Sequence, residues 1–183
     1  MGRVQSVVAR ANQKLTVQFA ATLLASATFV SMLFGFLRER LLNSYHYGTY
    51  PEGLDAYTAA FTVPDFMFFI LVSGALSVTF IPVFNQRLAG GNKRSAWEIS
   101  TSLMNLMAVA TLITSVLIII FAEPLMRYII APGLSESGMA LAVSMMRVIA
   151  INPFLFAIAT VIASIQQALG RFTFYALAPI IYN

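Results

Sequence analysis

The chain has 183 residues, of which 59% are hydrophobic and 10% charged, with a formal net charge of +4. An ordinary soluble domain is about 25% charged, so there is too little polar side chain here to coat a water-facing globule. The absence of cysteine excludes disulfide staples, thiolate metal sites and cysteine nucleophiles. The basic residues sit in short clusters beside apolar blocks, which points to membrane orientation and away from nucleic acid.

Residues 1–14 place Val4, Val7, Val8 and Ala11 at helical spacing, with Arg3, Arg10 and Lys14 among the polar positions. This is the pattern of an interfacial helix lying on headgroups. Residues 15–37 follow without a charge and cover about 35 Å as a helix, a complete span. A secretory signal is the rival reading, but its apolar core would run only roughly 7–15 residues.

Arg38 to Asp55 reads as a polar connector, with Gly48, Pro51 and Gly53 as turn signals, and is expected to end the first helix. Residues 56–84 form a second span, with a kink where Pro64 removes a backbone donor just before Asp65. Residues 86–98, holding Arg87, Gly90, Gly91, Lys93 and Arg94, form a short basic loop. Residues 99–121 make a third span with Asn105 as its strongly polar member, closed by Glu123-Pro124.

A connector runs through Pro132-Gly133 to Gly138, and residues 139–169 make an over-long fourth span containing Arg147, Asn152 and Pro153. A tilt, or a kink at Pro153, fits its length. Residues 172–183 begin a fifth apolar segment of about 18 Å, short of the roughly 30 Å hydrocarbon layer, as expected of a truncated span. The predicted fold is all-α: a polytopic integral membrane bundle of four complete spans plus the start of a fifth, forming a single membrane domain.

If four spans alternate, Arg3, Arg10, Lys14, Arg87, Lys93, Arg94 and Arg171 share one side, and Arg38, Arg40 and Arg127 the other. The positive-inside bias then places the amino terminus in the cytoplasm. Ala27, Ser31 and Gly35 recur every four residues, and Ser73 and Ser77 repeat that spacing beside Gly74. Small side chains on one face allow close helix approach, so these are read as helix-packing positions.

No nucleophile elbow, phosphate-binding glycine loop or paired-histidine motif is present, so an enzyme is not expected, nor a metal or other cofactor. His46, the single histidine, reads as a solvated connector residue. Charged groups within spans are different, because an unpartnered charge in lipid is costly and such residues face cavities. Arg38 either snorkels to headgroups or turns its guanidinium fork to a phosphate. Asp55 is placed to cap the second helix, and Asp65, inside an apolar block, to face a cavity. Arg147 either snorkels or pairs with an acid, and Asn105 reads as an interhelical hydrogen bond.

Several segments occur in a familiar order. Gly35-Phe36-Leu37-Arg38-Glu39 is followed by Leu54-Asp55-Ala56-Tyr57, and then by Ala60-Phe61-Thr62-Val63-Pro64-Asp65. Next come Ser73-Gly74-Ala75-Leu76-Ser77, Phe80-Ile81-Pro82-Val83-Phe84, Ala131-Pro132-Gly133-Leu134 and Ala176-Leu177-Ala178-Pro179. Together they cover nearly the whole chain and resemble the MurJ (MviN) family of lipid II flippases, within the multidrug, oligosaccharidyl-lipid and polysaccharide exporters.

The resemblance implies alternating access of two lobes that moves an undecaprenyl-diphosphate-linked peptidoglycan precursor across the bacterial cytoplasmic membrane. It implies partners in membrane lipids and in the remainder of a larger bundle or a partner membrane protein. Arg38 and Asp55 match positions the family uses in its central cavity, with Arg38 as a diphosphate contact. Where many members carry an arginine after the first-helix serine, this chain has Met32, and where some carry paired arginines it has Phe68-Phe69. An anionic cargo in a low-dielectric site needs compensating charge, which must then come from elsewhere in the bundle or from a different binding mode. A cation-coupled multidrug or polysaccharide exporter with Asp65 as coupling acid, and a non-transporting scaffold, are the alternatives.

Overall fold

The computed structural model describes residues 16–46, 51–73 and 80–182. The interfacial helix expected at 1–14 lies outside them, as do Gly74 and Ser77. The described elements are helices: α1 (Val17–His46), α2 (Pro51–Phe68), α3 (Ile81–Ala89), α4 (Lys93–Leu125), α5 (Glu136–Ile149), α6 (Asn152–Ala168) and α7 (Thr173–Tyr182). Five-residue π-helical turns extend α2 through Phe69–Ser73 and α4 through Met126–Ile130. Among the described residues, four stretches are long and apolar enough to cross a membrane: Val17–Ser44, Glu52–Val72, Lys93–Ile130 and Glu136–Ala168. A helix satisfies its own backbone donors and acceptors, as lipid demands, and the protein is a multi-pass helical membrane bundle.

The helices overrun the apolar blocks, for a common reason. Charged residues do not end helices; glycine, proline and turn chemistry do. Thus α1 continues past Arg38, Glu39 and Arg40 to His46 instead of stopping at Leu37. Proline suits a first helical position, and α2 starts at Pro51, so Glu52 lies in the first turn and Asp55 is inside the helix, not its cap. Lys93 and Arg94 belong to α4 rather than to a loop, because Asn92 accepts a bond from the Ser95 amide (3.1 Å) and starts the helix there. Only the turn at Gly90, Gly91 and Asn92 remains, with Gly91 at a left-handed φ of 76°.

Pro124 does not close the third span, which runs on to Ile130. The fourth expected span divides into α5 and α6 at Ala150-Ile151, where Pro153 cannot donate back into the preceding turn. Ser135 caps α5 by accepting from the Gly138 amide (3.2 Å), so Gly138 lies in the helix's first turn and not in a connector.

The chain divides into two compact units, Met1–Leu41 with Ile162–Asn183, and Leu42–Val161. In the first, Ala20, Ala27, Ser31, Ser164 and Ala176 are buried, and the Ser31 hydroxyl donates to the Pro179 carbonyl at 2.9 Å. In the second, Ala56 and Ala60 of α2 and Ile118, Ala122 and Met126 of α4 and its π turn pack with Met139, Ala142, Val143 and Met146 of α5. Alanines four apart flatten one face of α2 so that larger α5 side chains fit against it. Phe68 meets Phe156 edge to face at 5.7 Å.

The hydroxyls that α4 buries are satisfied within the helix. Ser100, Thr111 and Ser115 donate to the carbonyls of Ala96 (2.9 Å), Met107 (2.6 Å) and Thr111 (2.9 Å). Back-bonding of this kind lets small polar residues line an apolar seam without an orphaned group.

Candidate functional site

The polar groups of α2 lie on one face. Asp55, Thr58, Thr62 and Asp65 follow one another by three, four and three residues, the spacing that stacks side chains along a helix. All four are exposed, while Ala56, Ala60 and Pro64 on the other side are buried. The face extends about 15 Å along the axis. Thr58 and Thr62 donate their hydroxyls to the carbonyls of Leu54 (3.0 Å) and Thr58 (3.4 Å), which leaves their oxygens turned outward as acceptors. Neither Asp55 nor Asp65 has an ion-pair partner among the described residues.

Asp65 lies about 20 Å along the helix from Glu52, well inside the hydrocarbon layer. A carboxylate at the centre of a membrane helix costs about 2.5–3.5 kcal/mol on insertion scales. A face with two acids and two threonines is therefore costly to leave against lipid tails.

Arg147 is also exposed and has no ion-pair partner among the described residues. It sits about 16 Å from Glu136, the start of α5, at a depth similar to Asp65. The two side chains do not form an ion pair, although their helices pack together. Arg38 belongs to the other unit, on an exposed face of α1. Counted from Val17, the roughly 30 Å hydrocarbon layer uses about 20 residues, so Arg38 falls at the far headgroup boundary even though the helix runs on past it. Asn105 is exposed, and its side chain makes no hydrogen bond among the described residues. Of the small residues, Ala27 and Ser31 are buried and Gly35 is half-buried, whereas the side chain of Ser73 lies outside the described residues.

Two features escaped the sequence reading. Thr58 and Thr62 were legible only as partners of the two acids in the three-four-three spacing. The second feature is a polar tie joining three helix ends: Glu52 accepts from the Ser135 hydroxyl, and Arg127 forks onto Glu136 at 3.2 and 3.3 Å. Glu123 adds a longer contact to Arg127 at 3.9 Å. These groups are largely exposed, and nothing in their spacing announces the contact between Glu52 and Ser135. No group of acids and histidines able to hold a metal occurs among the described residues.

A family model described as lipid II flippase MurJ matches residues 48–183. A probable lipid II flippase MurJ of Rickettsia prowazekii (strain Madrid E) is 28% identical over 171 residues, covering 92% of this chain and 33% of the relative. One of Bdellovibrio bacteriovorus is 30% identical over 169 residues, covering 90% of this chain and 31% of the relative. The lipid II flippase MurJ of Thermosipho africanus is 25% identical over 169 residues, covering 92% and 34%. The chain thus spans about a third of the length of the curated relatives it matches. No solved structure matches it.

Proposed function

Because the chain belongs to the lipid II flippase MurJ family, we propose that it forms part of a flippase carrying an undecaprenyl-diphosphate-linked saccharide across the bacterial cytoplasmic membrane by alternating access. The observation that carries this reading is the polar face of α2, which needs an aqueous or polar surrounding at a depth where the bilayer offers none. In this reading Asp55 and Asp65 line the cargo cavity, Arg38 meets the diphosphate, and Arg147 supplies a further positive charge. The cargo crosses without a covalent bond being made or broken, so the protein is a transporter rather than an enzyme and uses no cofactor. Its partners are membrane lipids, the lipid-linked cargo, and the remaining helices of the bundle or a partner membrane protein. Ala27, Ser31 and Gly35, with Ser73, Gly74 and Ser77, serve as close-packing positions between helices.

Reconstitution tests this reading. Liposomes containing the intact gene product and a fluorescent diphosphate-linked saccharide lipid are expected to move the label between leaflets well above the rate of protein-free liposomes. Equal rates would contradict it.

The amino terminus is placed in the cytoplasm, on the side with more basic residues. The chain has no cysteine, so single introduced thiols report sidedness without background. Asn92→Cys is expected to label only from the cytoplasmic side and Gly133→Cys only from outside. Labelling of both from one side would overturn the topology.

A second reading is favoured by the unpaired Asp65 carboxylate: it couples transport to a cation gradient. On that reading Asp65→Asn keeps cargo binding but loses the dependence of transport on the gradient. Unchanged gradient dependence would remove it.

A further inference from the structure

The turn joining α3 to α4 holds its shape through several contacts. Gly91 takes the left-handed conformation, Asn92 caps α4, and the Arg87 guanidinium bonds to the Ser95 hydroxyl across the turn. Beneath it Phe84 is fully buried, with ring contacts to Phe80 at 5.5 Å and edge to face with Trp97 at 6.4 Å. The apolar side of α3 is thereby locked to the start of α4.

What this rigid hairpin presents outward is cationic and aromatic. Arg87 and Lys93 are exposed, the Arg94 side chain is 91% exposed, and Glu98 offsets one charge of the three through its 2.9 Å pair with Arg94. Half of Trp97 remains accessible despite its contact with Phe84. An open groove of ≈ 600 Å³ runs along this side, lined by Arg94, Trp97, Glu98, Thr101 and Ser102. The Thr101 hydroxyl donates to the Trp97 carbonyl at 3.0 Å, leaving its oxygen as an acceptor. The Ser102 hydroxyl has no hydrogen-bond partner among the described residues and remains a donor.

This is also where α4 enters the bilayer, since the charged residues end at Glu98 and the apolar run begins at Ile99. Tryptophan is enriched at that level, its ring among the acyl chains and its N–H toward the headgroups. The geometry points to a binding site for an anionic glycerophospholipid headgroup on the α3–α4 hairpin. The phosphate sits at Arg94 in this groove, Lys93 adds positive charge at the same level of the helix, and an acyl chain lies along Trp97. Charge complementarity selects the occupant: the excess of cations over Glu98 favours a headgroup with net negative charge over a zwitterionic one. The proposal rests on the membrane topology given above and not on the identity of the transported cargo.

Trp97 is the single tryptophan of the chain, so its fluorescence reads this site alone. The full chain is placed in nanodiscs of phosphatidylcholine containing equal mole fractions of phosphatidylglycerol, with bromine on the acyl chains of one lipid or the other. Brominated phosphatidylglycerol is expected to quench Trp97 several times more strongly, and added salt to reduce that preference. Lys93→Gln with Arg94→Gln is expected to remove most of that preference, since each basic residue near an anionic surface contributes a factor of about five. Both side chains are exposed, so the fold should persist, with circular dichroism as control. Equal quenching by the two lipids, a preference for the zwitterionic one, or an unaffected double variant would overturn the site. Absence of quenching by either lipid would overturn both the site and the membrane placement of α4, whereas loss of cargo transport alone would leave the site standing.

Discussion

In the intact gene product, on the proposed function, replacing Arg38 by alanine is expected to abolish rescue of a strain depleted of its own lipid II flippase, with the protein still made and inserted. Arg38 is exposed on α1 and makes no ion pair among the described residues, so its removal breaks no contact there. Alanine is also the better helix former, and α1 should stay intact. The effect should therefore fall on cargo. A guanidinium fork fits two phosphate oxygens at once, and truncating one partner of a desolvated charge pair costs about 2–5 kcal/mol. Because Arg38 sits at the headgroup boundary, the lower end applies, which is roughly a 30-fold loss of affinity. Arg38→Lys keeps the charge without the fork and should rescue in part. Full rescue by Arg38→Ala would remove Arg38 from the cargo path.

The second large effect is expected at Ala60. Its side chain is fully buried where α2, α4 and α5 meet, in a cluster with Ala56, Ala142 and Met146. Ala60→Leu adds three carbons to a seam with no space for them, and overpacking of this kind costs about 1–3 kcal/mol. For a chain of this size that is a fall in unfolding temperature of roughly 2–12 °C in detergent. Val109→Leu, on an exposed face of α4, should leave the temperature unchanged. A tolerated Ala60→Leu would mean that α2 and α5 are not held together at this seam.

The helical bundle was legible because apolar blocks longer than a soluble core needs have one physical use, crossing lipid. The ends of the helices were not legible from hydropathy. Arg38–His46 and Lys93–Glu98 are polar yet helical, since a helix runs on into the headgroup layer until a glycine, proline or cap stops it. Pro153 did mark a break, at the adjoining Ala150-Ile151, whereas Pro64 and Pro124 lie within helices, with π-helical turns following in each case.

Site residues divided in the same way. Asp65 could be picked out by the cost of a carboxylate in lipid, and its side chain is exposed on α2. Asp55 was misread as a cap because the start of α2 at Pro51 was hidden by the polar character of residues 51–55. Thr58 and Thr62 carry too little polarity to stand out singly, and only their register with the two acids gives them meaning. The Glu52–Ser135 contact joins residues far apart in sequence and had no local signal.

If α2 holds a wet face at bilayer depth, water reaches Thr62, and thiol accessibility reads that directly. With no native cysteine to interfere, Thr62→Cys is expected to react with a membrane-impermeant thiol reagent in intact proteoliposomes, and Val109→Cys to stay unmodified against lipid. A Thr62→Cys as inert as Val109→Cys would show that no water reaches this face and that α2 does not line a cargo cavity.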